Sequence, residues 1–169
     1  MSRVHSFPPL ADAQARLLIL GSMPGKASLQ ANRYYAHPRN AFWPIVEHLF
    51  HLAPGLAYDE RCAQLVRQGV AVWDVLMSCT RESSMDADID SRSIVPNDFA
   101  GFFAAHPAIG RIYFNGAMAQ RVFDRHVAPR LPAGVADLPR LRLPSTSPAN
   151  AGYSFERKLA CWRVIRETR

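Results

Sequence analysis

Lysine is almost missing from this chain. Of its 20 basic residues, all but Lys26 and Lys158 are arginine. Cysteine is scarce too: Cys62, Cys79 and Cys161 lie far apart, and none belongs to a Cys-x-x-Cys. That argues against a disulfide framework, a zinc site and a four-cysteine iron–sulfur cluster. No apolar run is long enough to cross a bilayer. The first residues, MSRVHSFPPLADAQAR, have no apolar stretch of the kind that makes a secretory signal. A cytoplasmic protein with no membrane partner is expected. There is also no internal repeat, low-complexity tract or long linker. The 169 residues therefore predict one domain over 1–169 with a sizeable core.

Hydrophobic residues make up 49% and charged residues 20%, as in an ordinary globular protein. The formal net charge of +6 biases the protein toward polyanions, of which nucleic acid is the commonest. Arginine suits bidentate phosphate contacts. A generically basic surface explains the same charge, so charge alone does not decide.

Short apolar runs alternate with amphipathic stretches. RLLILG (16–21) reads as a buried strand stopped by Gly21, and 22–39 as a long loop. Asn40 is placed to cap a helix over 41–50, with Pro44 tolerated in its first turn. A helix over 58–68 ends at Gly69, and VAVWDVL (70–76) is the next strand. Residues 77–95 read as polar and irregular, with Asn97 capping a helix through about residue 105. A strand over 111–115, a helix over 117–125, a proline-marked loop and a short strand over 140–143 follow. PSTSPANAG then leads into a last helix over 154–167. This alternation predicts a parallel sheet covered on both faces. A ligand then sits beyond the carboxyl ends of the strands, where GSMPG, SCTRESS, NGA and PSTSP all fall.

GSMPGK invites comparison with a nucleotide-binding P-loop, G-x-x-x-x-G-K-[ST]. It is one residue short, and Ala27 stands where the magnesium-binding hydroxyl belongs. A nucleotide-binding enzyme using Gly21–Lys26 is the lesser alternative. The loop matches something else when read with YYAHPRNAFW (34–43), VAVWDVLMSCTRESSMD (70–86), FNGAMA (114–119) and LPSTSPAN (143–150). Together, in this order and spacing, these segments resemble the uracil-DNA glycosylase superfamily, and within it the hypoxanthine-DNA (deoxyinosine) glycosylase branch. The mismatch-specific uracil/thymine branch is also similar, but it carries Asn where this chain has Met23.

The resemblance implies a three-layer α/β/α sandwich around a mainly parallel four-stranded sheet. It implies a monofunctional, cofactor-free and metal-free monomer that flips a deaminated base out of DNA and hydrolyses its glycosidic bond. Asn40 stands where this branch carries its functional asparagine; a helix cap is the other reading, and both can hold. Asp74, at a strand end, either accepts from the ring N–H of the base, activates water, or pairs with an arginine such as Arg81. The turn Ser22, Met23, Pro24, Gly25 is expected to bind the base through its amides, with Met23 lining the pocket or packing in the core. Tyr35 occupies the place of the aromatic that stacks on the base, a role Tyr34 could exchange with it. Asn115 is expected to support the base pocket, or simply to form a strand-to-helix turn. Lys26, Ser28, His37, Ser145, Thr146, Ser147 and Asn150 are expected to contact DNA. The 144–150 loop is the candidate wedge into the duplex. The superfamily often has His before its Pro-Ser; here Leu143 takes that place, which shifts weight onto Asn40 and the backbone amides. A non-catalytic DNA-binding module on the same fold is the remaining alternative.

Overall fold

The computed structural model describes residues 2–167. In chain order the strands are β1 (Ser2–His5), β2 (Leu17–Gly21), β3 (Val70–Asp74), β4 (Leu76–Arg81), β5 (Val95–Pro96), β6 (Arg111–Asn115) and β7 (Arg140–Leu143). The helices are α1 (Lys26–Ala31), α2 (Phe42–Phe50), α3 (Tyr58–Arg67), α4 (Phe99–Ala105), α5 (Ala117–His126), α6 (Ala133–Ala136), α7 (Phe155–Trp162) and α8 (Val164–Glu167).

The central sheet has the order β3-β2-β6-β7, and all its pairings are parallel. Strand β2 is interior and buried at all five positions, which is why LLILG carries no polar alternation. Side chains still alternate between the two faces. Leu18, Leu20, Ala71, Trp73, Ile112 and Phe114 pack with Phe99, Phe102 and Phe103 of α4 and Val122 and Phe123 of α5. On the other face, Leu17, Ile19, Val72 and Tyr113 pack with Ile45, Val46 and Leu49 of α2, Leu65 of α3, and Leu159 and Trp162 of α7. The three-layer expectation holds.

The chain winds outward from β2 in both directions: β3 lies on one side, β6 and β7 on the other. This places a switch point at β2, where a crevice opens beyond the carboxyl ends. The ends are in register, Gly21 opposite Asp74 and Asn115 opposite Leu143.

Four expectations change in the structure. The stretch 22–39 is not all loop, because α1 begins directly after Gly25. The polar stretch after residue 76 contains β4, which joins β1 and β5 in a second, antiparallel sheet. Its pattern was hidden because Ser78 and Arg81 are polar yet buried, at 2% and 4% exposure. Helix α4 is capped by Asp98, whose side chain accepts from the Gly101 N–H at 3.1 Å. Asn97 instead donates to the Asp74 carbonyl at 2.8 Å. The last helix tightens at Arg163, where the Arg166 N–H reaches only to the Arg163 carbonyl, so it becomes α7 and α8.

Trp162 ties the lower layer to the cleft. It is fully buried, meets Phe42 edge-to-face at 6.1 Å, and its indole N–H donates to the Pro144 carbonyl at 2.9 Å. Trp162→Ala removes that volume and frees the 144–150 loop. We expect a loss of about 3–5 kcal/mol in urea unfolding; a midpoint equal to the parent's would contradict this packing.

Candidate active site

A cleft of about 1180 Å³ opens at the carboxyl ends of the central sheet. Its floor includes the last residue of each strand: Gly21, Asp74, Asn115 and Leu143. Every residue singled out above for catalysis, base binding or DNA contact lines this one cleft. Lining it does not give each residue the expected role.

The floor is built around Gly21. A Cβ there would stand 2.5 Å from Asp74 Oδ1 and 3.0 Å from the Tyr35 hydroxyl. Only glycine lets these two polar groups close over the end of β2. The Tyr35 hydroxyl makes no hydrogen bond of good geometry, and burial beside Asp74 pushes its pKa upward. Tyr35 itself is held at φ +55°, unusual for a bulky side chain and a mark of local strain. Its ring stacks on Phe42 at 4.1 Å, and the residue lines the cleft. Tyr34 is committed elsewhere: it is buried and its hydroxyl donates to the Pro8 carbonyl at 2.8 Å.

Asp74 is 4% exposed, and its Oδ2 has no hydrogen-bond partner. Burial first, and the Asp86 carboxylate second, push its pKa up to about 7, while Arg81 pulls it down. The ion pair with Arg81 does not form among the described residues. Arg81 is buried and donates instead to the Pro24 carbonyl, with its Nε and Nη1 unpartnered. Arg81 thus braces the turn and sets the local potential without neutralising Asp74 directly.

Asn40 lines the cleft beside the start of α2. Its Oδ1 accepts from the Phe42 N–H at 2.9 Å in a turn that leads into α2; the helix starts one residue later than expected, so its N-cap position is Ala41 and Asn40 stands just before it. Its Nδ2 is left to the cleft. In the 22–25 turn, the Met23 and Gly25 N–H groups have no acceptor among the described residues. Met23 is both buried in the core and part of the cleft wall. The Ser22 hydroxyl donates to Asp86 Oδ1 at 2.6 Å.

Three of the residues expected at the base or the DNA make bonds within the protein. Ser28 is buried, and its hydroxyl accepts from the Ala36 N–H at 3.1 Å, which secures the 34–37 segment. Thr146 is fully buried and paired reciprocally with Asn115: Asn115 Nδ2 donates to Thr146 Oγ1, and the Thr146 N–H donates to Asn115 Oδ1, both at 2.9 Å. One bond at each end of the Asn115 amide braces the 144–150 loop. Ser145 and Ser147 accept from loop amides, Asn150 donates to the Ser145 carbonyl, and Lys158 reaches the Ser147 carbonyl at 3.2 Å. Lys26 is exposed at the rim, its N–H held by Ser84 Oγ at 2.8 Å. His37 Nδ1 accepts from the Arg39 N–H at 3.1 Å, a local turn contact.

The sequence reading missed Asp86, Ser84, Met85, Arg142 and Tyr153, all on the cleft wall. Asp86, Ser84 and Met85 sit in the segment read as irregular. Only the acidic run DADID hinted that a carboxylate was available there. Among the described residues, no group of three or more His, Cys, Asp or Glu is arranged to hold a metal ion, and no helix is long and apolar enough to cross a membrane.

Asn40, Asp74, Tyr35 and the 22–25 turn thus share one cleft at the switch point of a parallel α/β sheet. Comparison with known proteins identifies the family. The model of the uracil DNA glycosylase superfamily matches residues 8–166, and the chain belongs to that superfamily. It is 33% identical over 162 residues to a hypoxanthine DNA glycosylase of Methanosarcina acetivorans, covering 95% of this chain and 96% of that one. A hypoxanthine DNA glycosylase of Methanosarcina barkeri is 33% identical over 113 residues, 66% of this chain and 70% of the relative. The solution NMR structure of a candidate uracil DNA glycosylase from Methanosarcina acetivorans superposes with a TM-score of 0.79 at 30% identity, over 99% of both chains.

The raised Asp74 pKa has a consequence for stability. The unfolded side chain ionises near 3.8, whereas the folded one keeps its proton up to about 7. Between those values the folded state binds more protons, so this group makes stability fall as pH rises. Asp74→Asn removes that loss. The variant should gain stability relative to the parent at pH 8 compared with pH 4, read as urea midpoints. An unchanged difference would show that Asp74 ionises normally.

Proposed function

We propose that this protein is a monofunctional DNA glycosylase that removes deaminated bases, hypoxanthine from deoxyinosine first and uracil second. The observation that carries the reading is the convergence of Asn40, Asp74, Tyr35 and the free amides of the 22–25 turn in one cleft at the sheet's switch point. An extrahelical base enters the cleft and stacks on Tyr35. The Met23 and Gly25 N–H groups meet its carbonyl oxygen and stabilise the negative charge that grows on the departing base.

The bond between C1′ and the base nitrogen breaks with its electron pair going to the base, leaving oxocarbenium character on the sugar. Asn40 Nδ2 donates to a water and holds it against C1′. The water oxygen forms the new bond to C1′, and its proton passes to the Asp74 carboxylate, whose pKa near 7 suits a base at neutral pH. The proton then goes to the base anion. No step requires a lysine nucleophile; Lys26 is exposed and lines the cleft, where a phosphate contact is its simpler role.

The experiment is a metal-free incubation with labelled oligonucleotides carrying one deoxyinosine or one deoxyuridine, followed by hot alkali. Strand scission at inosine is expected, with Asn40→Ala slower by roughly 10²–10³-fold. Scission at uracil alone would move the protein to another branch of the superfamily. No scission at either base would overturn the reading.

A further inference from the structure

Ser22 and Asp86 form a pair that the mechanism above does not use. Ser22 follows the last residue of β2, is 8% exposed, and lines the cleft. Asp86 opens the short turn Asp86–Asp88 on the connection between β4 and β5, 64 residues further along the chain. The two meet at 2.6 Å, Ser22 Oγ donating to Asp86 Oδ1.

A serine hydroxyl has one proton and two lone pairs, and an ionised carboxylate only accepts. With its proton committed to Asp86, Ser22 Oγ can offer a ligand nothing but lone pairs. Next to it on the same turn stand the Met23 and Gly25 N–H groups, which offer only donors. The wall therefore presents an acceptor beside donors. Its complement is a ring N–H beside a carbonyl, as in hypoxanthine, xanthine and uracil. Adenine and cytosine present the reverse, an unprotonated ring nitrogen beside an amino group. In the same seat they would set acceptor against acceptor and donor against donor. Buried mismatches of that kind reject an analogue far more strongly than a missing contact does.

We propose that Asp86 is a positioning residue which, by holding the Ser22 proton, fixes Ser22 Oγ as an acceptor and so makes the cleft select deaminated bases over adenine and cytosine. This inference rests on the glycosylase reading. It adds that selection lies in the fixed polarity of one hydroxyl. Without Asp86 the Ser22 hydroxyl rotates freely and can donate to the bare ring nitrogen of adenine.

The test compares base release from matched oligonucleotides carrying deoxyinosine or deoxyadenosine at one position, for the parent, Asp86→Ala, Asp86→Glu, Ser22→Ala and the Asp86→Ala/Ser22→Ala double variant. Asp86→Ala should narrow the preference for inosine over adenosine in kcat/KM by roughly tenfold or more. Asp86→Glu should restore part of it. In the Ser22→Ala background, removing Asp86 should change the preference no further. Slower hypoxanthine release with an unchanged preference would reduce Asp86 to structural support and overturn the inference. So would an equal effect of Asp86→Ala with and without Ser22. Should Asp86→Ala fail to fold, Ser22→Ala alone must narrow the preference, or the inference falls. If the parent releases no hypoxanthine, the glycosylase reading fails first and takes this inference with it.

Discussion

The close approach at Gly21 is the constraint on which the rest of the site depends. Two polar groups from distant parts of the chain, the Asp74 carboxyl and the Tyr35 hydroxyl, occupy the space a side chain would fill. Both are buried, and Asp74 Oδ2 and the Tyr35 hydroxyl make no hydrogen bond of good geometry among the described residues. Such groups cost free energy in a resting fold. They persist because the sheet register places Asp74 directly opposite Gly21, and because the stack on Phe42 holds Tyr35 in a left-handed conformation. A carboxyl oxygen and a hydroxyl without partners at the floor of a cleft are preorganised polar groups of the kind a ligand can satisfy.

Around that floor the cleft walls are held by hydrogen bonds that run from core to loop. The 144–150 loop is tied to the core at several points. Asn115, Trp162, Lys158 and the Ala41 N–H each hold one of its backbone or side-chain groups. Lys158 does this as a buried cation with no carboxylate partner among the described residues, and burial lowers its pKa. The opposite wall is anchored by Arg81 at the Pro24 carbonyl and by Asp86 at Ser22. The second sheet earns its place here: β4 carries Arg81 to its position and launches the segment that bears Asp86. Residues that look like spare polarity in the chain are the struts of the cleft.

Much of this was legible beforehand, for identifiable reasons. The runs LLILG, VAVWD and RIYFN are buried parallel strands, and uninterrupted apolar stretches are readable without neighbours. The polar residues that matter follow those runs immediately, so a parallel sheet had to gather them on one edge. Strand β4 was not legible, because LMSCTR has neither apolar continuity nor clean alternation. It is a strand because Ser2–His5 pairs with it from the far end of the chain. The roles of Ser28, Thr146 and Asn115 were unreadable for a related reason: a hydroxyl or amide in a loop looks the same whether it meets a phosphate or a backbone amide.

By itself, then, the sequence determined the α/β class, the edge of the sheet where chemistry collects, and the residue types available there. Those follow from hydrophobic periodicity and from short-range turn chemistry, which need no knowledge of distant contacts. Only the tertiary structure decided which of the polar groups face the cleft and which are consumed in holding it. It alone brought Asp86 to Ser22 and Tyr35 to Asp74, raised the Asp74 pKa by burial, and left Asn40 with one amide end bonded to the Phe42 N–H and the other free. Hydrogen bonds and desolvation act over a few ångströms between residues tens of positions apart, so their outcome is set by packing and not by the local order of the chain.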